Sequence, residues 1–162
     1  MRKAVLPTLS LIVIFLVLGA MAVFYFSVLG RANPTLRKTE VTIGTHTFDV
    51  EVASSTIEQA RGLSGRNGLG ENQGMFFPFA TAGIKNFWMK DMRFPIDMIW
   101  IGGGKVLDFA ENAQVPAPGT ALWNLKIYNS PDGTDGVLEV TAGTVAKEGI
   151  KAGDVVLIVY PQ

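Results

Sequence analysis

The sequence has no cysteine and a single histidine, His46, among its 162 residues. The first absence excludes disulfides, thiolate nucleophiles and Cys-ligated metal centres. It says little about compartment, because a cysteine-free chain suits oxidising and reducing surroundings alike. The second leaves one imidazole base, at what reads as a hairpin turn, so Ser–His and Cys–His hydrolysis lack their parts. Such a histidine ordinarily faces solvent. Zinc sites usually recruit two or more His or Cys ligands, so no metal site is expected. No cofactor motif and no catalytic residue set emerge either.

Acidic residues are missing before Glu40, although the whole chain is formally neutral. Five of the 14 basic residues precede that point: Arg2, Lys3, Arg31, Arg37 and Lys38. From Glu40 onward nine basic residues therefore face 14 acidic ones, a balance of −5. A domain so charged is poorly suited to phosphate backbones, which call for a basic surface. Nucleic acid is not an expected partner.

Charge of either sign is also absent from Ala4 to Gly30, 27 residues. As a helix this run would extend roughly 40 Å against a hydrocarbon core of roughly 30 Å. Leu11 to Leu29 contains 13 Leu, Ile, Val or Phe residues, which favour insertion by at most about 4–8 kcal/mol. Pro7 falls in the first turn, where a missing N–H costs little, and Phe24, Tyr25 and Phe26 suit an interfacial belt. Ala20-Met21-Ala22 offers the small-x-small pattern of a cleaved signal, but the hydrophobicity continues well beyond it. A buried core helix would not be apolar on every side. The expected organisation is thus a transmembrane anchor or uncleaved signal over residues 1–30, a tether over 31–38 with Asn33-Pro34, and a globular domain over 39–162. The short basic start favours a domain outside the cytoplasm, on the cell membrane.

Within that domain, Glu40–Ile43 and Thr47–Val52 flank Gly44-Thr45-His46 as a hairpin. Ser55 and Glu58 have capping-box spacing for a short helix from Thr56 to about Leu63, ended by Gly62 and Gly65. Strands are expected over 74–79, 86–91, 96–101, 105–112, 137–140 and 154–160. Pro78 should lie at an edge or end, and Gly102-Gly103-Gly104 should close a tight hairpin. Residues 121–129 mix strand and turn signals, and Thr144–Glu148 reads as a helical turn. Many short strands with one or two short helices predict a mainly β (α+β) fold, a small barrel-like or sandwich-like antiparallel sheet, preceded by the transmembrane helix.

Several motifs invite chemistry and have plainer readings. Asp132 and Asp135 are three apart, whereas calcium loops alternate every second residue, so a turn is expected. The triple glycine leads into a strand, whereas a phosphate cradle needs a helix N-terminus. Asp97 and Glu139 sit among apolar neighbours on strands and must either face outward or be paired. If both faced one cleft at about 5–5.5 or 6.5–9.5 Å, two-carboxylate glycoside hydrolysis would be open. Phe87, Trp88, Met89, Met98 and Trp100 should alternate into the core. Any of them left on the outer face could carry a sugar ring or peptide.

In order along the chain stand Arg61-Gly-Leu-Ser-Gly-Arg66, Gly74-Met-Phe-Phe-Pro-Phe79, Phe87-Trp-Met-Lys90, Pro95-Ile-Asp-Met-Ile99, Val137-Leu-Glu-Val140 and Gly149-Ile-Lys-Ala-Gly-Asp154. This set resembles the domain of unknown function 192 family of bacteria and archaea over about Thr39 to Tyr160. The resemblance implies a mainly β domain, often exported or behind one hydrophobic segment, and brings no reaction, ligand or catalytic residue with it. Where the family usually continues with Asn-Thr after Phe-Trp-Met-Lys, this chain has Asp91-Met92, which would alter any pocket formed there.

The reading that follows is a membrane-anchored, extracytoplasmic binding or interaction module with an envelope ligand or protein as partner. Arg61, Arg66, Trp88, Lys90, Asp97 and Glu139 are its candidate ligand-binding residues. The rival is a cell-envelope hydrolase using Asp97 and Glu139 as acid and base. A purely structural envelope factor is the third reading.

Overall fold

The computed structural model describes residues 6–28 and 32–159, with side chains from Leu11 to Val23 in the first helix. That helix, α1, runs Leu6–Val28, and its described side chains are all exposed and carry no charge. These thirteen residues rise only about 20 Å. Among the described residues no helix is long and apolar enough to cross a membrane. Arg2, Lys3, Arg31, Tyr160 and the side chains of Phe24, Tyr25 and Phe26 lie outside the described residues.

The domain begins with the expected hairpin, β1 (Lys38–Ile43) against β2 (His46–Val52), in antiparallel register. Alternation sends Val41, Ile43, Phe48 and Val50 to one face, all fully buried. Gly44 turns the chain at φ 59°, where a β-carbon would be strained. His46 therefore starts a strand, and its Nδ1 lies 2.8 Å from a Glu148 carboxylate oxygen. Helix α2 (Thr56–Arg61) has the capping box foreseen from Ser55 and Glu58 and stops at Gly62. The chain then enters β3 (Gln73–Pro78) parallel to β2. This corrects the all-antiparallel expectation: α2 and the loop after it carry the chain back to the end where β2 began, as parallel pairing requires.

Strand β5 (Ile96–Gly102) and β6 (Lys105–Ala113) form the second hairpin, with both turn glycines at positive φ, the signature of a type I′ turn. With β8 (Gly136–Thr141), α3 (Thr144–Glu148) and β9 (Val156–Val159), the seven-stranded sheet has the order β6-β5-β8-β3-β2-β1-β9. Its edges approach each other: Lys105 bridges Val155, and the Val106 N–H donates to the Asp154 carbonyl at 2.9 Å. The sheet is a curled half-barrel, mainly β with a few short helices. A separate ribbon pairs β4 (Asn86–Trp88) with β7 (Ile127–Asn129), the latter within the segment of mixed signals.

Two hydrophobic cores result. One fills the concave side with Phe48, Val50, Phe76, Ile99, Leu138 and Val140 among others. The second lies on the outer face of β3, β8 and β5, where Met75, Phe77, Met98, Trp100 and Val137 pack under Leu63, Met89 and Met92. Strand β5 is buried at every position, which explains its continuous apolar run.

The β3–β8 contact is close enough to require glycine at one place. A β-carbon on Gly74 would lie 2.6 Å from the Glu139 carbonyl oxygen, which the paired strands cannot move aside. Gly74→Ala should therefore destabilise the domain by about 2–4 kcal/mol, measured as a lower urea midpoint with an unchanged m-value.

Candidate functional site

Glu139 occupies an interior strand, opposite Met75 on β3 and Met98 on β5. Residues directly opposite share a face, so Glu139 is on the outer side with the second core. There α2, the loop after it and the β4–β7 ribbon cover the sheet, and Glu139 is only 5% exposed. Among the described residues no donor or cation pairs with its carboxyl, and burial alone pushes it up to about 8. At neutral pH the folded chain holds it as the uncharged acid.

Above this carboxyl opens a cleft of about 430 Å³, a size that suits a small organic ligand. Gln59, Ala60 and Arg61 of α2 form one wall, continued by Leu63 and Ser64. Phe79, Lys85, Phe87 and Trp88 form the other, with Met92 beside them and Phe77 in the sheet below. The aromatic wall is ordered edge to face: Phe87 lies 5.2 Å from Phe77 and 6.4 Å from Phe79, at nearly right angles to both. Trp88 remains 43% exposed. The Lys85 ammonium donates to the Thr81 carbonyl at 2.8 Å and stands 4.7 Å over the Phe79 ring.

The walls are fixed by backbone-directed bonds. Gln59 Nε2 donates to the Pro78 carbonyl at 2.9 Å, and the Ser64 hydroxyl to the Lys90 carbonyl at 2.7 Å. The Gly65 N–H donates to the Asp91 carbonyl at 2.9 Å. Asn33 Nδ2 donates to the Glu58 and Gly62 carbonyls at 2.9 and 3.0 Å, so the chain joins the domain against the helix that walls the cleft.

Of the six residues singled out in the sequence, the cleft brings together Arg61, Trp88 and Glu139. The other three stand elsewhere. Arg66 makes a two-pronged bond to Glu51, at 2.6 and 2.8 Å. This pairing, ahead of the Leu36 N–H, holds the Glu51 carboxyl below its ordinary range. Lys90 pairs with the neighbouring Asp91 carboxylate. Asp97 is fully buried on the opposite, concave side, opposite Val140. Its two oxygens accept from the Asn112 N–H at 2.8 Å and the Val145 N–H at 2.9 Å, tying the β6 bulge and the start of α3 to β5. Asp97 and Glu139 thus face away from each other through the sheet, and the acid–base pair considered for glycoside hydrolysis does not form. Sequence reasoning missed Lys85, Gln59 and the Phe77–Phe79 side of the wall, since only the return of β3 beneath β4 gathers them. Met92, where the sequence departs from the usual Asn-Thr, lines the cleft.

Among the described residues no cluster of three or more His, Asp or Glu could hold a metal ion. The Asp132–Asp135 segment is a turn, with each carboxylate accepting from a backbone N–H.

The model of the domain of unknown function 192 family, described as an uncharacterized ACR, matches residues 39–158. A solved structure of a protein of unknown function from Novosphingobium aromaticivorans is 31% identical with a TM-score of 0.69, covering 78% of this chain and 91% of that one. One from Sinorhizobium meliloti, whose name proposes a transcription regulator, is 28% identical with a TM-score of 0.69, covering 78% and 98%. No curated protein matches the chain.

Two predictions come from the contrasting carboxyls. Asp97→Asn keeps one acceptor for two buried N–H groups and should cost about 2–3 kcal/mol, read from urea denaturation. Unchanged stability would return Asp97 to the functional candidates. Glu139 titrates at 4.5 in the unfolded chain and at about 8 in the folded one. Between those values the folded state alone must retain the proton, so stability falls as pH rises from about 4.5 to about 8. The whole step is on the order of 5 kcal/mol. Glu139→Gln should flatten this slope in urea midpoints taken from pH 5 to 9. Glu51 and Glu58, both held low, act in a separate window: their stabilisation is lost as pH drops below about 4.5.

Proposed function

We propose that this protein, which belongs to the domain of unknown function 192 family, is a membrane-anchored, extracytoplasmic binding module whose ligand site is the cleft over Glu139. The observation that carries the reading is a buried carboxyl, without a partner among the described residues, in the lining of an aromatic-walled cleft. Core packing explains an apolar side chain there, not an acid that burial penalises. A ligand able to hydrogen-bond at its inner end and stack on the walls would relieve that penalty.

Anchoring is supported by the uncharged run from Ala4 to Gly30 and by the apolar surface that α1 presents all round. Such a surface has no partner in water. The attachment of Asn33 to α2 favours a cleft held close to the anchor. A nucleic-acid role of the kind suggested by the Sinorhizobium meliloti relative's name finds no support in nine basic residues against 14 acidic ones from Glu40 onward. An envelope protein is the alternative occupant of the same surface.

Two measurements test the reading. After an alkaline carbonate wash the full-length chain should stay in the membrane pellet, with its domain open to protease added from outside. Recovery in the soluble fraction would end the anchored reading. In a thermal-shift screen of small polar compounds, those that raise the Tm by 2 °C or more should lose their effect on Ala60→Trp. Ala60 is an exposed residue of the cleft wall, so the indole can plug the site without entering the core. Equal shifts in both proteins would place binding elsewhere.

A further inference from the structure

We propose that the cleft over Glu139 binds the protonated amino group of a small amine, seated on the carboxylate between the aromatic rings. The inference rests on the ligand-site reading above and adds the chemical class.

Among the described residues, three groups lining the cleft carry or can carry charge: Arg61 from α2, Lys85 from the segment before β4, and Glu139 from β8. The two cations are already engaged. Lys85 is bonded to the Thr81 carbonyl and rests on Phe79, and Arg61 has interactions of its own. Neither pairs with Glu139, whose displaced titration has burial as its single cause. Among the described residues the acid on the sheet side of the cleft therefore has no counter-charge, and the partner it lacks there is a hydrogen-bond donor that can also be cationic.

The walls suit the same partner. Ring faces attract ammonium groups, more strongly where water is excluded. Lys85 over Phe79 is an instance of that contact within this cleft. A neutral alcohol could bond to the protonated acid but would gain nothing from its ionisation. An anion would keep the carboxyl protonated and meet the negative faces of Phe77 and Phe87.

The binding step balances simply. The neutral Glu139 acid gives its proton to solvent, and the carboxylate accepts hydrogen bonds from the incoming ammonium. No covalent bond to carbon or nitrogen changes. One proton is released per amine bound while the free site is protonated. Arg61 and Lys85 keep their charge throughout the neutral range, so they add no proton change.

The test uses the full-length chain in detergent micelles with three probes of one shape: n-butylammonium, n-butanol and butyrate. Binding is followed by the Trp88 indole N–H resonance and by calorimetry in buffers of different ionisation enthalpy. Butylammonium should bind at least tenfold more tightly than butanol and release close to one proton at pH 6.5. Its affinity should rise by up to tenfold per pH unit from pH 6 towards pH 8. Glu139→Gln should abolish both the preference and the proton release while leaving the weak butanol response. Butanol or butyrate binding as tightly as the amine would overturn the amine assignment and leave the cleft as a ligand site. The same holds for amine binding without proton release. Should no probe move Trp88 while Ala60→Trp also leaves every screened compound's effect intact, the ligand-site reading falls too.

Discussion

The structure depends on one constraint: the three central strands β3, β8 and β5 are covered on both faces. A curled sheet fills its concave side with its own side chains, and antiparallel sheets commonly leave the convex side to water. Here the loop after α2 and the β4–β7 ribbon close that side as well, with α2 tied to the end of β3 by the Gln59 bond to the Pro78 carbonyl. Every polar group on these strands must then find a partner inside the protein or bear the cost of burial. Asp97 and Glu139 meet this condition in opposite ways. Asp97, fully buried, accepts two backbone N–H groups and so ties a bulge and a helix start to the sheet. Glu139, between Met75 and Met98 on the opposite face, has neither donor nor cation beside it among the described residues.

The covering layer is held by a few directed bonds rather than by continuous packing. Gln59 reaches the Pro78 carbonyl, Ser64 the Lys90 carbonyl, and Lys85 and Ser130 exchange bonds across the base of the ribbon. Between these ties the cover is thin, and the cleft lies there. Its aromatic wall is stiff because Phe87 is gripped at its edge by Phe77 and Phe79 and tilted against Trp100. The site is therefore formed before any ligand enters, which lowers the ordering cost of binding.

Local chemistry made much of the fold legible. Ser55 with Glu58 marked the start of α2, and Gly44 and the glycines at 103 and 104 marked the two hairpins, because caps and turns are decided by a few neighbouring residues. The parallel β2–β3 pair was not legible, since it depends on where an eleven-residue loop returns the chain. The ribbon strand β7 was obscured by its shortness. At the site, alternation identified Glu139 as a residue needing an explanation but could not say which face of the sheet would be open. It gave Asp97 equal weight for the same reason. Register decided between them: Asp97 stands opposite Val140 and Glu139 opposite Met98, so neighbours in strand order become opposites in space. Arg66 and Lys90 looked available as cations because their partners, Glu51 on β2 and Asp91 after β4, were hidden in the fold or unremarkable beside them.

An acid in a hydrophobic layer is ordinarily explained by a structural bond, and the structural bonds of this domain are made by other residues. Arg66–Glu51 binds the loop after α2 to β2, and Asp97 binds the bulge and α3. Removing the carboxyl of Glu139 would break none of these contacts and would leave Met75 and Met98 packed as before. Its burial therefore costs stability without returning any within the free chain. Water in a half-open cleft satisfies such a group only in part, because little of it is exposed. A partner entering from the mouth completes what the fold leaves undone. It also gains most when it brings the charge that burial has denied the carboxyl, for in a low-dielectric cleft an ion pair gains far more Coulombic energy than it would in water. The same desolvation that disfavours the empty site thus sharpens its choice among occupants.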